Sequence, residues 1–184
     1  MSQNTALLVM DMQPAILSNL PDATQIVENV AKAIAIARSK NIPIIYATLG
    51  FKNGAAEIST NNKTFASTRE HINHINFEEF TKVHPALAPQ KNDINVIKRR
   101  ISAFTGSALE VILRSKGIQH LVLTGYATSG IVLSTTTEAA DKDYKITILS
   151  DGCADRDEEV HRVLTTKVFL RSAYVLTIEE WKNS

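Results

Sequence analysis

The sequence has little of several features that would narrow the class of protein. Its single cysteine, Cys153, cannot form an internal disulfide and fits a reducing compartment. Its 20 basic and 19 acidic residues give a net charge of +1, which favours neither a nucleic-acid surface nor an acidic tail. No apolar run approaches the roughly 20 residues of a membrane span. Met1–Thr5 lacks the regions of a signal peptide, so we expect a cytoplasmic protein without nucleic-acid or membrane partners.

Short apolar runs alternate with amphipathic stretches along the whole chain. Between the runs, apolar residues recur at helical spacing, as they do from Val27 to Ala37. This alternation predicts a three-layer α/β/α sandwich with a mainly parallel, Rossmann-like sheet of about six strands. The length of 184 residues is typical of one domain, which we expect to span residues 1–184. The predicted strands are Ala6–Met10, Ile42–Ala47, Ile94–Ile97, Leu121–Thr124, Ile146–Ser150 and Tyr174–Thr177.

Residues 50–92 depart from this pattern, because they are rich in Asn, Thr, Ser, His and Pro. A long polar insertion in a compact α/β domain is more often a binding lid than a disordered linker. Within it, Phe51, Glu57, Asn62 and Phe65 are candidates for contacts with a ligand, although each could equally be structural.

Two charged residues stand at the ends of predicted strands. Asp11 directly follows the first strand, where a buried carboxylate is costly without a purpose, although it could instead be a turn residue. Lys98 ends another strand and could pair with Asp11 across neighbouring strand ends. The alternative for Lys98–Arg100 is a solvated basic cluster. Gln13 could bind either a ligand or the turn that follows Asp11.

A third feature is the segment Leu123–Thr135. It reads as a strand that Gly125 breaks, followed by a helix that begins near Ser129. Such a turn directs side chains and backbone N–H groups beyond the carboxyl end of the strand, where α/β sheets bind ligands. An ordinary strand-to-helix connection is the alternative.

Three motifs in this order resemble those of the isochorismatase-like cysteine hydrolases, and the resemblance covers nearly the whole chain. They are Asp11-Met-Gln13, Lys98-x-x-x-Ser102-Ala-Phe104 and Thr124-Gly-x-Ala-Thr128. The resemblance implies a non-proline cis peptide between Tyr126 and Ala127.

In that family an Asp, a Lys and a Cys form a catalytic triad. The resemblance assigns Asp11 and Lys98 to the first two roles and places Ile131 at the position of the nucleophilic cysteine. Isoleucine cannot attack an amide carbonyl as a thiolate does. The isochorismatases of the family carry glycine there and hydrolyse a vinyl ether without a protein nucleophile. By that resemblance Asp11 would be the general acid and Lys98 would orient a carboxylate or hydroxyl of the substrate.

The residues of the chain also allow predictions about the pocket, about metal or cofactor binding and about substrate contacts. Because isoleucine is bulkier than glycine, the pocket is expected to be smaller or differently shaped than that of an isochorismatase. His71, His74 and His84 lack a matching carboxylate pattern, so we expect neither a metal site nor a cofactor. Residues expected to contact the substrate are Gln13, Phe51, Glu57, Phe104, Tyr126 and Ala127.

Two other residues could replace the missing nucleophile. Ser129 stands two residues before Ile131 and should point elsewhere, with an N-cap as its structural role. Cys153 follows the predicted strand Ile146–Ser150 and could enter the pocket, although a lone cysteine beside a helix start is more often structural.

We therefore predict a hydrolase of a small, anionic metabolite that uses Asp11 and Lys98 and assembles as a homodimer or higher homo-oligomer. Vinyl-ether hydrolysis is favoured over amide hydrolysis. The alternative from another class is a catalytically inactive protein of the same fold that binds a small molecule. A third possibility is a hydrolase that depends on Cys153.

Overall fold

The computed structural model describes residues 4–52, 56–71 and 75–184. In these ranges, six parallel strands form one sheet in the order β3-β2-β1-β4-β5-β6. The predicted parallel α/β sheet is therefore confirmed. The strands are β1 Thr5–Met10, β2 Ile44–Leu49, β3 Ile94–Lys98, β4 His120–Tyr126, β5 Lys145–Ala154 and β6 Tyr174–Leu176.

Helices cover both faces of the sheet. The α-helices are α1 Pro14–Leu17, α2 Thr24–Ser39, α3 Lys63–His71, α4 Phe77–Phe80, α5 Leu109–Ser115, α6 Leu133–Asp141, α7 Glu158–Val163 and α8 Ile178–Lys182. Short π-helices span Thr128–Val132 and Leu164–Val168, and 3-10 helices span Pro85–Leu87 and Phe169–Arg171. No helix in the described ranges is long and apolar enough to cross a membrane.

The central strand β1 shows why the protein has three layers. Its side chains alternate between two faces, so Leu8 and Met10 join one apolar core while Leu7 and Val9 join the other. The first core packs against α5 and α6, and the second packs against α2 and α8. A strand buried on both faces reads as a continuous apolar run, which is why the sequence pattern identified β1.

Several predicted strand boundaries differ from the observed ones by one to four residues, and two of these differences have a clear physical reason. β2 begins at Ile44, not Ile42, because Pro43 has no N–H to donate to a neighbouring strand. Gly125 does not break β4, which continues to Tyr126. The backbone at Gly125 has φ of 139°, and a Cβ there would lie 2.1 Å from the carbonyl oxygen of Met10. Glycine therefore allows β4 to approach the end of β1 without leaving the sheet.

The polar insertion contains regular structure that the sequence pattern did not predict. Helix α3 begins beside Asn62, whose side-chain oxygen accepts hydrogen bonds from the N–H groups of Thr64 and Phe65. An asparagine before a helix is a sequence signal for this start. Phe51, Ile58 and Phe65 form a third apolar cluster, and the rings of Phe51 and Phe65 meet edge to face with centroids 5.5 Å apart.

Candidate active site

Asp11 and Lys98 meet at the carboxyl edge of the sheet. Asp11 follows β1 with φ of 53°, and its N–H donates to the carbonyl of Ala47 at 2.8 Å. Lys98 is the last residue of β3 and is paired with Leu49 of β2. The Nζ of Lys98 lies 2.9 Å from Oδ2 of Asp11, and only 2% of the lysine side chain is exposed. The predicted ion pair is confirmed, but β2 separates the two strands that were expected to be neighbours.

The basic run Lys98–Arg100 is not a solvated cluster, because each of its members bonds to a defined partner in the protein. The Nζ of Lys98 also donates to the carbonyl of Arg100 at 2.9 Å. Arg99 donates to the carbonyl of Gly50 and forms a 3.2 Å ion pair with Glu57. Arg100 donates to the carbonyl of Glu57. One cation therefore belongs to the buried pair, and the other two attach the insertion to the end of β3.

The protonation of the pair depends on burial and on the attraction between its members. Burial raises the pKa of Asp11 to about 6, although the positive charge of Lys98 opposes the shift. Burial also lowers the pKa of Lys98, against the attraction of Asp11. Removal from water thus outweighs the partner's charge at both residues. The sequence could not decide between these opposed effects.

The two carboxyl oxygens of Asp11 differ in their contacts. Oδ2 contacts Lys98, whereas Oδ1 is buried and has no hydrogen-bond partner among the residues that the structure describes. A buried polar atom of this kind calls for an explanation, and a ligand is one. A carboxyl group that exchanges its proton near neutral pH and has a free oxygen can act as a general acid.

Gln13 lies within the same strand-end region and is fully buried. Its Oε1 accepts a hydrogen bond of 2.6 Å from the N–H of Leu49, and its Nε2 donates to the carbonyls of Leu49 and Phe80. The structure thus shows its contacts with the protein backbone, whereas its contact with a substrate stays a prediction.

Tyr126 and Ala127 lie beside the end of β1. Gly125 of β4 is paired with Met10, so the next residues of β4 follow the same edge of the sheet as Asp11. The peptide bond between Tyr126 and Ala127 is cis, as the family resemblance implied. Tyr126 is buried and Ala127 is half-buried. The register of the sheet thus places these two residues at the same strand-end region as Asp11, and their contact with a substrate stays a prediction.

Ile131 is 2% exposed and belongs to the apolar core that includes Met10. It lies in the π-helix that follows β4. Ser129 is exposed, and its predicted N-cap role is wrong because the helix begins one residue earlier, at Thr128, with Ala127 as its N-cap residue. The N–H of Ser129 instead donates to a carboxylate oxygen of Asp155 at 2.7 Å.

Two residues that the sequence reasoning did not identify hold this turn. Asp155 accepts the N–H of Ser129, and the hydroxyl of Thr128 lies 2.8 Å from Nδ1 of His161. Burial lowers the pKa of His161, which favours a neutral ring. Both contacts join residues more than 20 positions apart, so no local pattern in the sequence indicates them.

The other predicted contact residues lie in packed or paired positions. Phe51 belongs to the apolar cluster of the insertion, and the carboxylate of Glu57 accepts the N–H of Lys52 as well as pairing with Arg99. Phe104 lies in the core, where its ring centroid is 6.0 Å from that of Tyr144. Their contact with a substrate stays a prediction.

The histidines of the insertion are only partly described. The Nδ1 of His84 accepts a hydrogen bond of 3.3 Å from the N–H of Ala86. His74 and the side chain of His71 lie outside the described residues. Within the part of the chain that is described, no group of three or more His, Cys, Asp or Glu residues could hold a metal ion.

Cys153 is placed differently from the prediction. It lies within β5, which runs to Ala154, and it is paired with Gly125 of β4 instead of standing beside a helix start. The side chain is 5% exposed, and burial raises its pKa to about 12. Little thiolate forms at neutral pH under these conditions, so the thiol is a poor nucleophile.

We expect iodoacetamide at about pH 7.5 to leave Cys153 of the native protein unmodified for hours, because the reagent requires an accessible thiolate. The same protein unfolded in guanidinium chloride should be labelled completely, which mass spectrometry measures and which serves as the control. Rapid labelling of the native protein, together with loss of any hydrolytic activity, would instead support the Cys153-dependent hydrolase.

The fold and this site define a parallel α/β protein with a buried Asp–Lys ion pair at the carboxyl edge of its sheet. A family model described as the Isochorismatase domain matches residues 5–180. The chain belongs to the isochorismatase family.

Three relatives illustrate the breadth of the similarity. The isochorismatase family protein YecD of Escherichia coli O157:H7 is 30% identical over 187 residues, covering 100% of this chain and 97% of that protein. The N-carbamoylsarcosine amidase of an Arthrobacter species is 28% identical over 78% of this chain and 55% of its own length. The structure of an isochorismatase family protein from Burkholderia thailandensis is 26% identical, with a TM-score of 0.84 over 100% of this chain and 96% of the other.

Proposed function

We propose that the protein hydrolyses a small, anionic metabolite, with Asp11 as the general acid and Lys98 as its partner. The observation that carries the proposal is the buried Oδ1 of Asp11, which has no hydrogen-bond partner among the described residues although Lys98 holds the other oxygen. The pKa of Asp11, raised to about 6, supports this role because an effective general acid titrates near the working pH. Membership of a family that contains hydrolases supports the class of reaction.

A vinyl ether is the substrate class that fits these residues best. Protonated Asp11 would give its proton to the enol carbon, and the resulting cation would be stabilised by the carboxylate that Asp11 becomes. Water then adds to the cationic carbon and loses a proton, which restores the acid. The hemiketal collapses to a carbonyl compound and an alcohol. Lys98 would orient a carboxylate or hydroxyl of the substrate.

Amide hydrolysis through an acyl-enzyme is disfavoured in this proposal. That route needs a thiolate at the position that the family resemblance assigns to Ile131, and isoleucine has no nucleophilic atom. The single thiol of the chain, on Cys153, is buried and has a pKa raised to about 12. The aspartate route requires neither residue.

The alternative is a catalytically inactive protein that binds a small molecule at the same place. The burial of Ile131 in the core favours this alternative, because an apolar side chain there could reduce the space for a reacting substrate. Asp11 and Lys98 would then bind a polar group of the ligand without transferring a proton.

The test is turnover and crystal soaking with two matched panels: small carboxylates that carry a vinyl ether, and the corresponding amides. We expect a vinyl ether to be hydrolysed and to bind with its enol carbon within about 3 Å of the Asp11 carboxylate, while the amides are unchanged. Hydrolysis of amides would overturn the proposed reaction. Binding without turnover across both panels would favour the inactive binding protein.

We also propose that the protein works in the cytoplasm as a homodimer or higher homo-oligomer, without a cofactor. The exposed apolar side chains of Leu170 and Tyr174, near the end of the chain, support a contact between subunits. A monomer in analytical ultracentrifugation at micromolar concentration would contradict the assembly.

A further inference from the structure

The side-chain amide of Gln13 makes three hydrogen bonds, and all three are to backbone atoms of the protein. Its oxygen accepts the N–H of Leu49, and its nitrogen donates to the carbonyls of Leu49 and Phe80. A glutamine amide has two N–H donors, so both are used here. The side chain is fully buried, so these bonds are not replaced by water. Only one acceptor position on the oxygen is left for any other partner.

The three hydrogen bonds join parts of the site that are distant in sequence. Leu49 is the last residue of β2, and its partner in the sheet is Lys98. Phe80 is the last residue of α4, which belongs to the insertion. Gln13 itself stands two residues after Asp11. One side chain thus connects the end of the strand that lies between the two charged residues with the end of α4.

We propose that Gln13 is a positioning residue that fixes Lys98 relative to Asp11 by holding the end of β2 and docking α4 against it. The bonds to Leu49 hold the backbone that is paired with Lys98, and the bond to Phe80 closes this end of the sheet to water. The inference concerns the Asp11–Lys98 pair itself, and only its effect on turnover rests on the proposed function.

The experiment compares Gln13→Met, which keeps the approximate volume but removes all three hydrogen bonds, with Tyr46→Phe as a matched control. Tyr46 is a buried residue of β2 whose hydroxyl donates to the carbonyl of Leu87 at 3.3 Å, so its replacement also removes a bond from β2 to the following segment. Amide hydrogen exchange of Leu49 and Phe80–Lys82 and the carbon-13 titration of the Asp11 carboxyl group are measured in each variant.

We expect exchange at Leu49 to accelerate by about tenfold or more in Gln13→Met, because a buried N–H loses its acceptor. The titration midpoint of Asp11 should move down from about 6 towards its ordinary value of 3.8 as water reaches the carboxyl group. Tyr46→Phe should change neither quantity. Equal behaviour of the two variants would overturn the positioning role.

Activity separates positioning from substrate contact. If a substrate is turned over, positioning predicts a lower kcat with a nearly unchanged KM, whereas a direct contact made equally before and during the reaction predicts a higher KM with kcat unchanged. If no substrate is turned over, the proposed function fails, but hydrogen exchange and the titration of Asp11 still test the positioning role of Gln13.

Should Gln13→Met not fold, Gln13→Glu is measured instead. Its carboxylate can still accept the N–H of Leu49 but repels the carbonyl oxygens of Leu49 and Phe80, so exchange across Phe80–Lys82 should be faster at about pH 8 than in wild type, and unchanged exchange there would overturn the inference.

Discussion

Asp11→Asn is expected to lower turnover of the vinyl-ether substrate by about 10²- to 10⁴-fold, which is the usual contribution of a general acid. Asparagine preserves the size of the side chain but has no proton to transfer. Steady-state kinetics measure the loss, and circular dichroism with thermal unfolding shows whether the fold is intact. Unchanged turnover in a folded variant would remove Asp11 from the mechanism.

The pH dependence of kcat/KM is a second test of the proposed role of Asp11. In the proposed mechanism the protonated form of Asp11 is the active one, so kcat/KM should be highest below pH 6 and fall about tenfold for each pH unit above it. Asp22→Asn is the control, because Asp22 is exposed and its side chain accepts the N–H of Thr24 at the start of α2. This variant should keep both the activity and the pH profile of the wild type.

Lys98→Met is expected to lower the free energy of unfolding by about 3–5 kcal/mol near pH 8, because it leaves the buried carboxylate of Asp11 without its counter-ion. Loss of Lys98 should raise the pKa of Asp11 further, since the positive charge that opposes the effect of burial is gone. The folded variant then binds more protons than the unfolded chain from about pH 4 upwards, so its stability falls as pH rises through this window. Near pH 5, where Asp11 carries a proton, the loss should be smaller.

Denaturant unfolding at both pH values measures this difference, and the double variant Asp11→Asn/Lys98→Met is its control. It contains neither buried charge, so its stability should change little between the two pH values and exceed that of Lys98→Met near pH 8. Equal losses for Lys98→Met at the two pH values would show that Asp11 does not become an isolated buried charge.

The secondary structure was predictable where the signal is local. Continuous apolar runs identified the six strands to within a few residues, because strands buried on both faces leave no polar alternation. Helix α3 was missed because the insertion has little apolar periodicity, although Asn62 carried a capping signal. The end of β4 was misjudged because Gly125 is required by the close approach of Met10, which is over 100 residues away in the chain.

The sequence by itself determined the parallel α/β sheet and placed Asp11 and Lys98 at the same edge of it, because parallel strands place all their carboxyl ends at one edge, whereas the structure decided that the two residues pair. It also determined that residue 131 is an isoleucine and that the chain has one thiol. Only the tertiary structure decided that burial outweighs the ion pair in setting the pKa of Asp11, and that Gln13, Arg99 and Arg100 bind backbone groups. These outcomes depend on distances between remote residues and on exclusion of water, and neither is encoded in any local pattern of residues.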